Sequence, residues 1–366
     1  MGILRRIVTL LTMCGCSRPT SWTSPTKKFL YTVYTIFVFL AMHTLVITQI
    51  LDLVFIVDNQ DDFSDNFYVT LAMIITFVKM CSMLITKKNI VTLIDTLQRE
   101  PFLPMDAEEF EIRTQYDSMS ENNTMTYTYA IVSYVIWMFL VTLILEFENR
   151  KLVFRAWLPF DYTSVLGFSI AFGHQIISSL ICSASNVACD SLFSGLLIHI
   201  YGQFEILGYR LRHIERDNDD SVKQCARHHK HIYKFARMVN EQFKLIVFVQ
   251  FLTSTSTVCF DLYRLTQKEL GSESVDILLY ASVTLIQIYY YCWYGNEVKL
   301  KSLEVSGMVF ESDWTYLNNK TKRTLLMIMR RATVPIEFTS LYLVTVNVET
   351  FKALLKTAYS AYNVLQ

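Results

Sequence analysis

Glycine and proline are scarce in this chain, with ten Gly and six Pro in 366 residues, against average usages of about 7% and 5%. So few helix breakers suit long helices. No run alternates apolar and polar residues in the way the strands of a membrane barrel do. Net charge is absent too: 33 basic residues balance 33 acidic ones, so no global field draws the chain to nucleic acid. The eight cysteines, at 14, 16, 81, 182, 189, 225, 259 and 292, show no metal-ligand spacing. Cys182 and Cys189 share one helix face and read as small core residues. None of the eight lies in a segment assigned below to the outside, so no extracellular disulfide is expected. There is no phosphate-cradling glycine loop, zinc-protease helix motif or nucleophile elbow, and no enzyme or cofactor is implied. Inverted repeats of the transporter kind are not evident either.

What the chain has in quantity is apolar surface, with 52% hydrophobic residues, 14% aromatic residues and a mean hydropathy of +0.30. That composition predicts an all-α polytopic membrane protein. A first span is expected over Phe29 to Val57, preceded by a short basic segment, 1–28, and acting as its own insertion signal. Asp52 sits near its outer end, and His43 reads as a satisfied interior group. An acidic stretch with Asp58, Asp61, Asp62 and Asp65 follows. The second span, Phe67 to Ile85, carries Lys79, and its pattern runs on through Ile90, Leu93, Ile94 and Leu97 to Pro101. Residues 101–125 are polar and acidic and read as a connector.

The third span covers Thr126 to Phe147. The fourth begins near Phe168, and its apolar face continues past the membrane through Leu192, Phe193, Leu196, Leu197, Ile200, Phe204, Leu207 and Leu211, a helix projecting into water. A link from Glu215 leads to a basic helix, in which His228 to His231 read as a solvated surface and not as a metal site, because no Cys or carboxylate has matching local spacing. The fifth span is Phe243 to Tyr263. The sixth, Ile277 to Trp293, continues to Phe310, and a helix through Trp314, Leu317, Thr321, Leu325, Ile328 and Ala332 suits helix contacts.

Pro335 opens a last apolar segment running to Gln366, expected as one helix. Phe338, Leu341, Val344, Val348, Phe351, Leu354 and Leu355 would form its apolar face, and Glu349, Lys352 and Lys356 share another. Charges inside such a helix face water or each other. Either Glu349 and Lys352 only neutralise one another, or the stripe follows a water-filled path and makes the helix a candidate pore lining. With seven spans the termini lie on opposite sides. Segments 1–28, 86–126, 208–237 and 299–334 hold 24 Lys and Arg, and 58–66, 146–167 and 264–276 hold five. The positive-inside rule then puts the N-terminus in the cytoplasm and Gln366 outside, opposite to a G-protein-coupled receptor.

The run Tyr291, Cys292, Trp293, Tyr294, Gly295, Asn296 and Glu297, then Ser302, Glu311, Ser312, Asp313, Trp314, Met329, Arg330, Arg331 and Pro335, ending with Phe351, Leu355, Lys356, Thr357, Tyr359 and Ser360, resembles the C-terminal signature of insect odorant receptors. The loop from Trp157 to Tyr162 is similar to theirs as well. Related gustatory receptors end with a Thr-Tyr pair, five residues and Gln-Phe. Here Ala358 precedes Tyr359, which favours the odorant branch.

The resemblance implies a subunit of a heteromeric ligand-gated non-selective cation channel in the plasma membrane of an olfactory sensory neuron. In that family a variable odorant-binding subunit and a common co-receptor form a heterotetramer within membrane lipid, held mainly by cytosolic helices, with the seventh helix lining the pore. It divides the chain into a cytoplasmic N-terminus (1–28), six spans with the ligand pocket (29–298), cytosolic anchor helices (299–334) and the pore helix (335–366). It places a gate at Val364 and Leu365, with Lys356 and Tyr359 on the same pore helix; ordinary packing is the alternative for the gate pair. The co-receptor resembled carries a long insertion after the fourth span. Here that loop is only Glu215 to Val222, which reads as the variable subunit.

Family pockets lie among the second to sixth helices in the outer half of the membrane. By face and depth the ligand positions are Met73, Phe77, Ala130, Ser133, Trp137, Ile177, Ser178, Ile181, Tyr280 and Thr284, with plain helix packing as the alternative for each. A metabotropic seven-helix receptor and a homomeric channel are the competing functions. The orientation has a direct test. The sequons at Asn122 and Asn319 fall on the cytoplasmic side, so glycosidase treatment of the membrane-expressed chain is expected to leave its gel mobility unchanged, and a shift would reverse the topology.

Overall fold

The computed structural model of the chain describes residues 3–19, 21–145, 149–214, 219–267, 272–341 and 343–365. The helices are α1 (Arg5–Met13), α2 (Pro25–Phe55), α3 (Gln60–Ile85), α4 (Lys87–Thr96), α5 (Ala107–Leu145), α6 (Val165–Arg212), α7 (Asp219–Gln267), α8 (Ser272–Phe310), α9 (Asn319–Ala332) and α10 (Val348–Leu365). A two-stranded antiparallel hairpin, β1 (Thr339–Ser340) and β2 (Val344–Thr345), precedes α10. Among the described residues α2, α3, α5, α6, α7 and α8 are long and apolar enough to cross a membrane, and α10 is the seventh helix of the bundle.

Three sequence expectations change. The acidic connector at 101–125 is mostly helix, because Asp106 and Glu109 form a reciprocal cap that starts α5. The Glu109 amide donates to Asp106 Oδ1 at 2.8 Å, and the Glu109 carboxylate accepts from the Met105 amide at 2.8 Å. The basic helix and the fifth span are one 49-residue rod, α7, about 75 Å long at 1.5 Å per residue. The last helix starts at Val348, not near Pro335. Asn347 caps it by accepting from the Thr350 amide at 2.9 Å, and Phe338 and Val344 belong to the hairpin, where the Val346 amide donates to the Phe338 carbonyl at 2.8 Å. The link 215–218 lies outside the described residues.

The half that the charge count assigns to the cytoplasm is the tightly packed one. On α6, Leu192, Leu196, Leu197, Ile200, Phe204, Leu207 and Leu211 are fully buried. They are surrounded by α5, α7, α8 and the short amphipathic α1. A buried Arg210 holds the turn before α5. Its guanidinium makes two 2.7 Å bonds to the Glu109 carboxylate and donates to the carbonyls of Pro101 at 3.2 Å and Leu103 at 2.9 Å. His228, expected on a solvated surface, is fully buried beside it. Its Nδ1 accepts from Arg210 at 3.2 Å and its Nε2 lies 2.8 Å from Gln203 Oε1, which fits a proton on Nε2. His229 is buried too.

The membrane half is held by charge. Lys79 of α3, with no exposed surface, donates to Asp190 of α6 at 2.5 Å and to Asn186 at 2.6 Å. The same Asp190 carboxylate accepts from Tyr127 of α5 at 3.1 Å, Tyr291 of α8 at 2.5 Å and the Gln287 amide. Four helices meet on one carboxylate.

Two predictions follow from these two layers. Removing Asp190 leaves a buried ammonium with only Asn186, whereas removing Lys79 leaves a carboxylate with three donors. Asp190→Ala should therefore cost about 3–5 kcal/mol of stability and Lys79→Met less, read as the melting temperature of the detergent-purified protein. Equal losses would contradict this account.

Burial, then the Arg210 charge, pushes His228 well below its ordinary value. Burial first, then nearby arginines, lowers His199 to about 3 and His229 to about 4. Asp117, raised by burial, opposes these three. The unfolded chain takes up the imidazole protons near pH 6.5. This contribution to stability is therefore complete above that pH and is lost as pH falls from 6.5 toward 4, and the melting temperature should fall between pH 7.5 and 5.

Candidate functional site

Above the Lys79–Asp190 pair the helices part around a cavity of about 130 Å³. Its α3 and α5 side is largely apolar, with Val69, Ala72, Met73, Ile131, Val135 and Met138, interrupted by Tyr68, Thr76 and Tyr134. Each of the other helices presents a polar stripe at spacings of four and three, one side of a helix. These are Ser179, Ser183 and Asn186 on α6, Gln250, Ser254 and Thr257 on α7, and Tyr280, Thr284 and Gln287 on α8. The stripes converge downward. Gln250 donates to Ser254 Oγ at 2.8 Å and to Gln287 Oε1 at 3.1 Å, and Gln287 donates to Asp190. The cavity floor is therefore the ceiling of the ion-pair network.

Toward the side assigned to the outside lies a wider, polar vestibule of about 510 Å³, which shares Tyr68, Val69, Tyr134, Met138 and Phe154 with the cavity. Rings make much of the partition: Tyr280 lies 5.1 Å from Tyr68 and 6.2 Å from Tyr134 between centroids, and the Arg264 guanidinium sits 4.3 Å over Tyr68. In the vestibule wall Arg155 pairs with Asp62 at 2.5 Å and with Asp52 at 3.4 Å, tying the loop after α5 to α2 and α3. Asn66 completes the group with a 2.6 Å bond to Asp52.

Of the ten positions selected from sequence, Met73, Tyr280 and Thr284 line the cavity. Phe77 turns toward α2 and packs on Phe39 and His43, at 5.5 and 5.4 Å. Ala130, Ser133 and Trp137 lie on the exposed face of α5, where the Trp137 indole donates to Asp276 at 3.1 Å. Ile177 is half exposed, Ser178 bonds His174 at 3.3 Å, and Ile181 packs against the core. The cavity instead takes Ile131, Tyr134, Val135 and Met138 from α5 and Ser179, Cys182, Ser183 and Asn186 from α6. Most of these lie one residue, or about 100°, beyond the selected face. Both helices are apolar around their circumference in the membrane, so periodicity carries no phase there.

The intramembrane Lys79–Asp190 pair was also missed, although an ionisable residue in a span is itself the signal that points to a site. On α10, Lys356 and Tyr359 are exposed. Val364 and Leu365 occupy its last turn, and their side chains lie outside the described residues. Among the described residues no cluster of His, Cys, Asp and Glu is arranged to hold a metal.

The family model described as 7tm odorant receptor matches residues 59–359. Odorant receptor Or1 of Anopheles gambiae is 26% identical over 257 residues, covering 60% of this chain, and odorant receptor 94a of Drosophila melanogaster is 23% identical over 242, covering 64%. In these two matches the chain spans 61% and 62% of the relatives' own length. A match to odorant receptor 9a of Drosophila melanogaster, 22% identical, covers 81% of this chain and 79% of that one. The insect olfactory receptor OR5 of Machilis hrabei, solved in complex with eugenol, superposes over 99% of this chain and 97% of its own, with a TM-score of 0.85 at 18% identity, and shares the seven-helix fold. The sequence match over most of the chain and the shared fold together make this protein a member of the insect 7tm odorant receptor family.

Proposed function

We propose that the chain is the odorant-binding subunit of a heteromeric ligand-gated non-selective cation channel in the plasma membrane of an olfactory sensory neuron, forming a heterotetramer with a co-receptor subunit. The observation that carries this reading is the path from cavity to terminal helix. Gln287 at the cavity floor, Tyr291 on Asp190 and Gly295 lie at i, i+4 and i+8, one stripe of α8 about 12 Å long. At Gly295 the helix meets the hairpin so closely that a Cβ would run into the Val346 carbonyl oxygen. Beside it Tyr289 packs edge-on to Phe351 of α10 at 5.5 Å. The OR5 complex with eugenol supports a small volatile ligand.

A ligand that binds one arrangement of the cavity more tightly than another shifts the population toward it. A tilt of α8 then moves the hairpin and the start of α10 together. On α10, Glu349 and Lys352 pair at 2.9 Å with both side chains exposed, and Lys356 is exposed as well. Among the described residues of one subunit nothing covers that charged face. Four subunits around an axis, this chain among them, would turn it to a water-filled path, with Val364 and Leu365 contributing to a ring that closes by dewetting.

Whole-cell recording tests the reading. Cells expressing this chain with an insect co-receptor should show fast currents to particular volatiles, unaffected by a G-protein blocker and absent when either subunit is left out. Current from this chain alone would make it homomeric, and a response abolished by the blocker would make it metabotropic. Gly295→Ala should reduce the ligand-evoked current about tenfold, within the usual range of coupling energies, while the order of preference among ligands stays the same. A changed order would place Gly295 in recognition instead of coupling.

A further inference from the structure

On the side that the charge count assigns to the cytoplasm, a separate pocket of about 190 Å³ lies between the α1–α2 turn, the first turns of α2 and the junction of α3 with α4. Three cations meet in it: Arg18 from the turn, Lys28 from α2 and Lys87 from the start of α4. No acidic residue lines it, and among the described residues none of the three pairs with a carboxylate. Elsewhere lysines of this chain find acids close by, as Lys223 does with Asp220 at 2.7 Å and Lys301 with Glu205 at 2.7 Å. Burial, then the Arg18 charge, holds the Lys87 ammonium below its ordinary value. The two cations thus act on each other with no protein carboxylate to offset the repulsion.

The frame of the pocket is fixed. Tyr31 is buried, the Lys87 ammonium lies 5.8 Å from its ring centroid, and its hydroxyl is 2.9 Å from the Ser17 carbonyl oxygen, next to Arg18. Thr35 Oγ1 bonds the Gly15 carbonyl at 3.0 Å, and a Cβ on Gly15 would lie 3.2 Å from Thr35 Cα. Arg18 is therefore carried on a turn bonded to α2. Beside the cations, Phe29, Val33, Ile36 and Leu40 form an exposed apolar stripe on α2, and Ile85 is exposed two residues before Lys87. Converging positive charge runs directly into surface suited to acyl chains.

We propose that this pocket binds the headgroup of a phosphorylated inositol lipid from the cytoplasmic leaflet, its phosphates on Arg18, Lys28 and Lys87 and its acyl chains along the exposed stripe of α2. The site is independent of the odorant-binding reading and uses only the sidedness of the chain. Basic pockets beside spanning helices on the cytoplasmic face suit such headgroups. A phosphate monoester carries about −1.5 to −2 charge and three strong acceptor oxygens, so it matches three converging cations better than a singly charged headgroup does. A soluble phosphate offers the same charge and leaves the apolar stripe uncovered.

The test measures fluorescence anisotropy of a labelled dioctanoyl phosphatidylinositol bisphosphate with the full chain purified in an uncharged detergent. The competitors are the unlabelled lipid, dioctanoyl phosphatidylserine, inositol trisphosphate and inorganic phosphate. The unlabelled bisphosphate lipid should compete roughly tenfold better than any of the others, since it alone has both the charge and the chains. Arg18→Gln and Lys87→Gln should each weaken binding roughly fivefold. Lys230→Gln removes the same charge from an exposed position on α7 and should leave binding unchanged. Both pocket positions are tested so that one misfolded variant, seen as a lowered melting temperature, leaves the other to decide. Competition by phosphatidylserine as strong as by the bisphosphate lipid would overturn the proposal in favour of general attraction to anionic lipid. Equal competition by inositol trisphosphate or inorganic phosphate would overturn it in favour of a soluble anion. A loss in Lys230→Gln as large as in Lys87→Gln, or no binding by wild-type protein that melts cooperatively, would overturn it outright, and in every case the receptor reading would stand.

Discussion

A lysine and an aspartate with almost no solvent exposure, bonded at 2.5 Å inside an apolar bundle, set the terms for the rest of the membrane half. Neither charge is tolerable there alone. The pair therefore requires α3 and α6 to stay adjacent, and the remaining lone pairs of Asp190 draw in Tyr127 of α5 and Tyr291 and Gln287 of α8. Specificity of helix arrangement follows from polar satisfaction, because apolar contact between helices is matched by apolar contact with lipid. The polar stripes that border the cavity extend from this network up α6 and α8. Cavity and architecture thus share side chains: Gln287 and Asn186 line the cavity and also hold the ion pair.

The two halves of the molecule are stabilised by different means. Outside the membrane, water drives burial of the aliphatic face of α6, and its residues from Leu192 to Leu211 are surrounded on all sides. Arg210 and Glu109 add a buried pair there, with the carbonyls of Pro101 and Leu103 satisfying the spare donors. Inside the membrane the packing is looser, and it encloses a cavity and a vestibule. A dense layer beyond the membrane thus anchors a more open membrane layer, and helices around the cavity can shift at less cost than those of the dense layer.

Much of the fold was legible because composition and hydropathy do not depend on phase. Six apolar runs, the long projection of α6 and the basic side of each loop are one-dimensional properties, readable from Phe168 to Leu211 without knowing what the helix touches. The starts of α5 and α10 are also written in the chain, as Asp106 with Glu109 and as Asn347 with Thr350, but in short polar caps that hydropathy and polarity do not register. The cavity was legible only in part. Met73, Tyr280 and Thr284 lie on it, while Ala130, Ser133 and Trp137 on α5 and Ile177 on α6 face away. In a membrane helix a lipid-facing Ile136 and a cavity-facing Val135 have the same chemistry, so a rotation of one residue leaves the pattern unchanged.

The sequence by itself determined the class, the apolar runs long enough to span a membrane, the sidedness implied by lysine and arginine, and the kinship carried by the run from Tyr291 to Ser360. These rest on local composition and on motifs contiguous in the chain. Tertiary structure alone decided that Lys79 meets Asp190 across 111 positions, that His228 is buried beside Arg210, and that a hairpin, not a helix turn, carries the contact from Gly295 to α10. It also left the Ser179 hydroxyl unpaired. Each depends on which faces of distant helices come together, and that choice is made by satisfying every buried charge and hydroxyl at once, a condition no single stretch of sequence expresses.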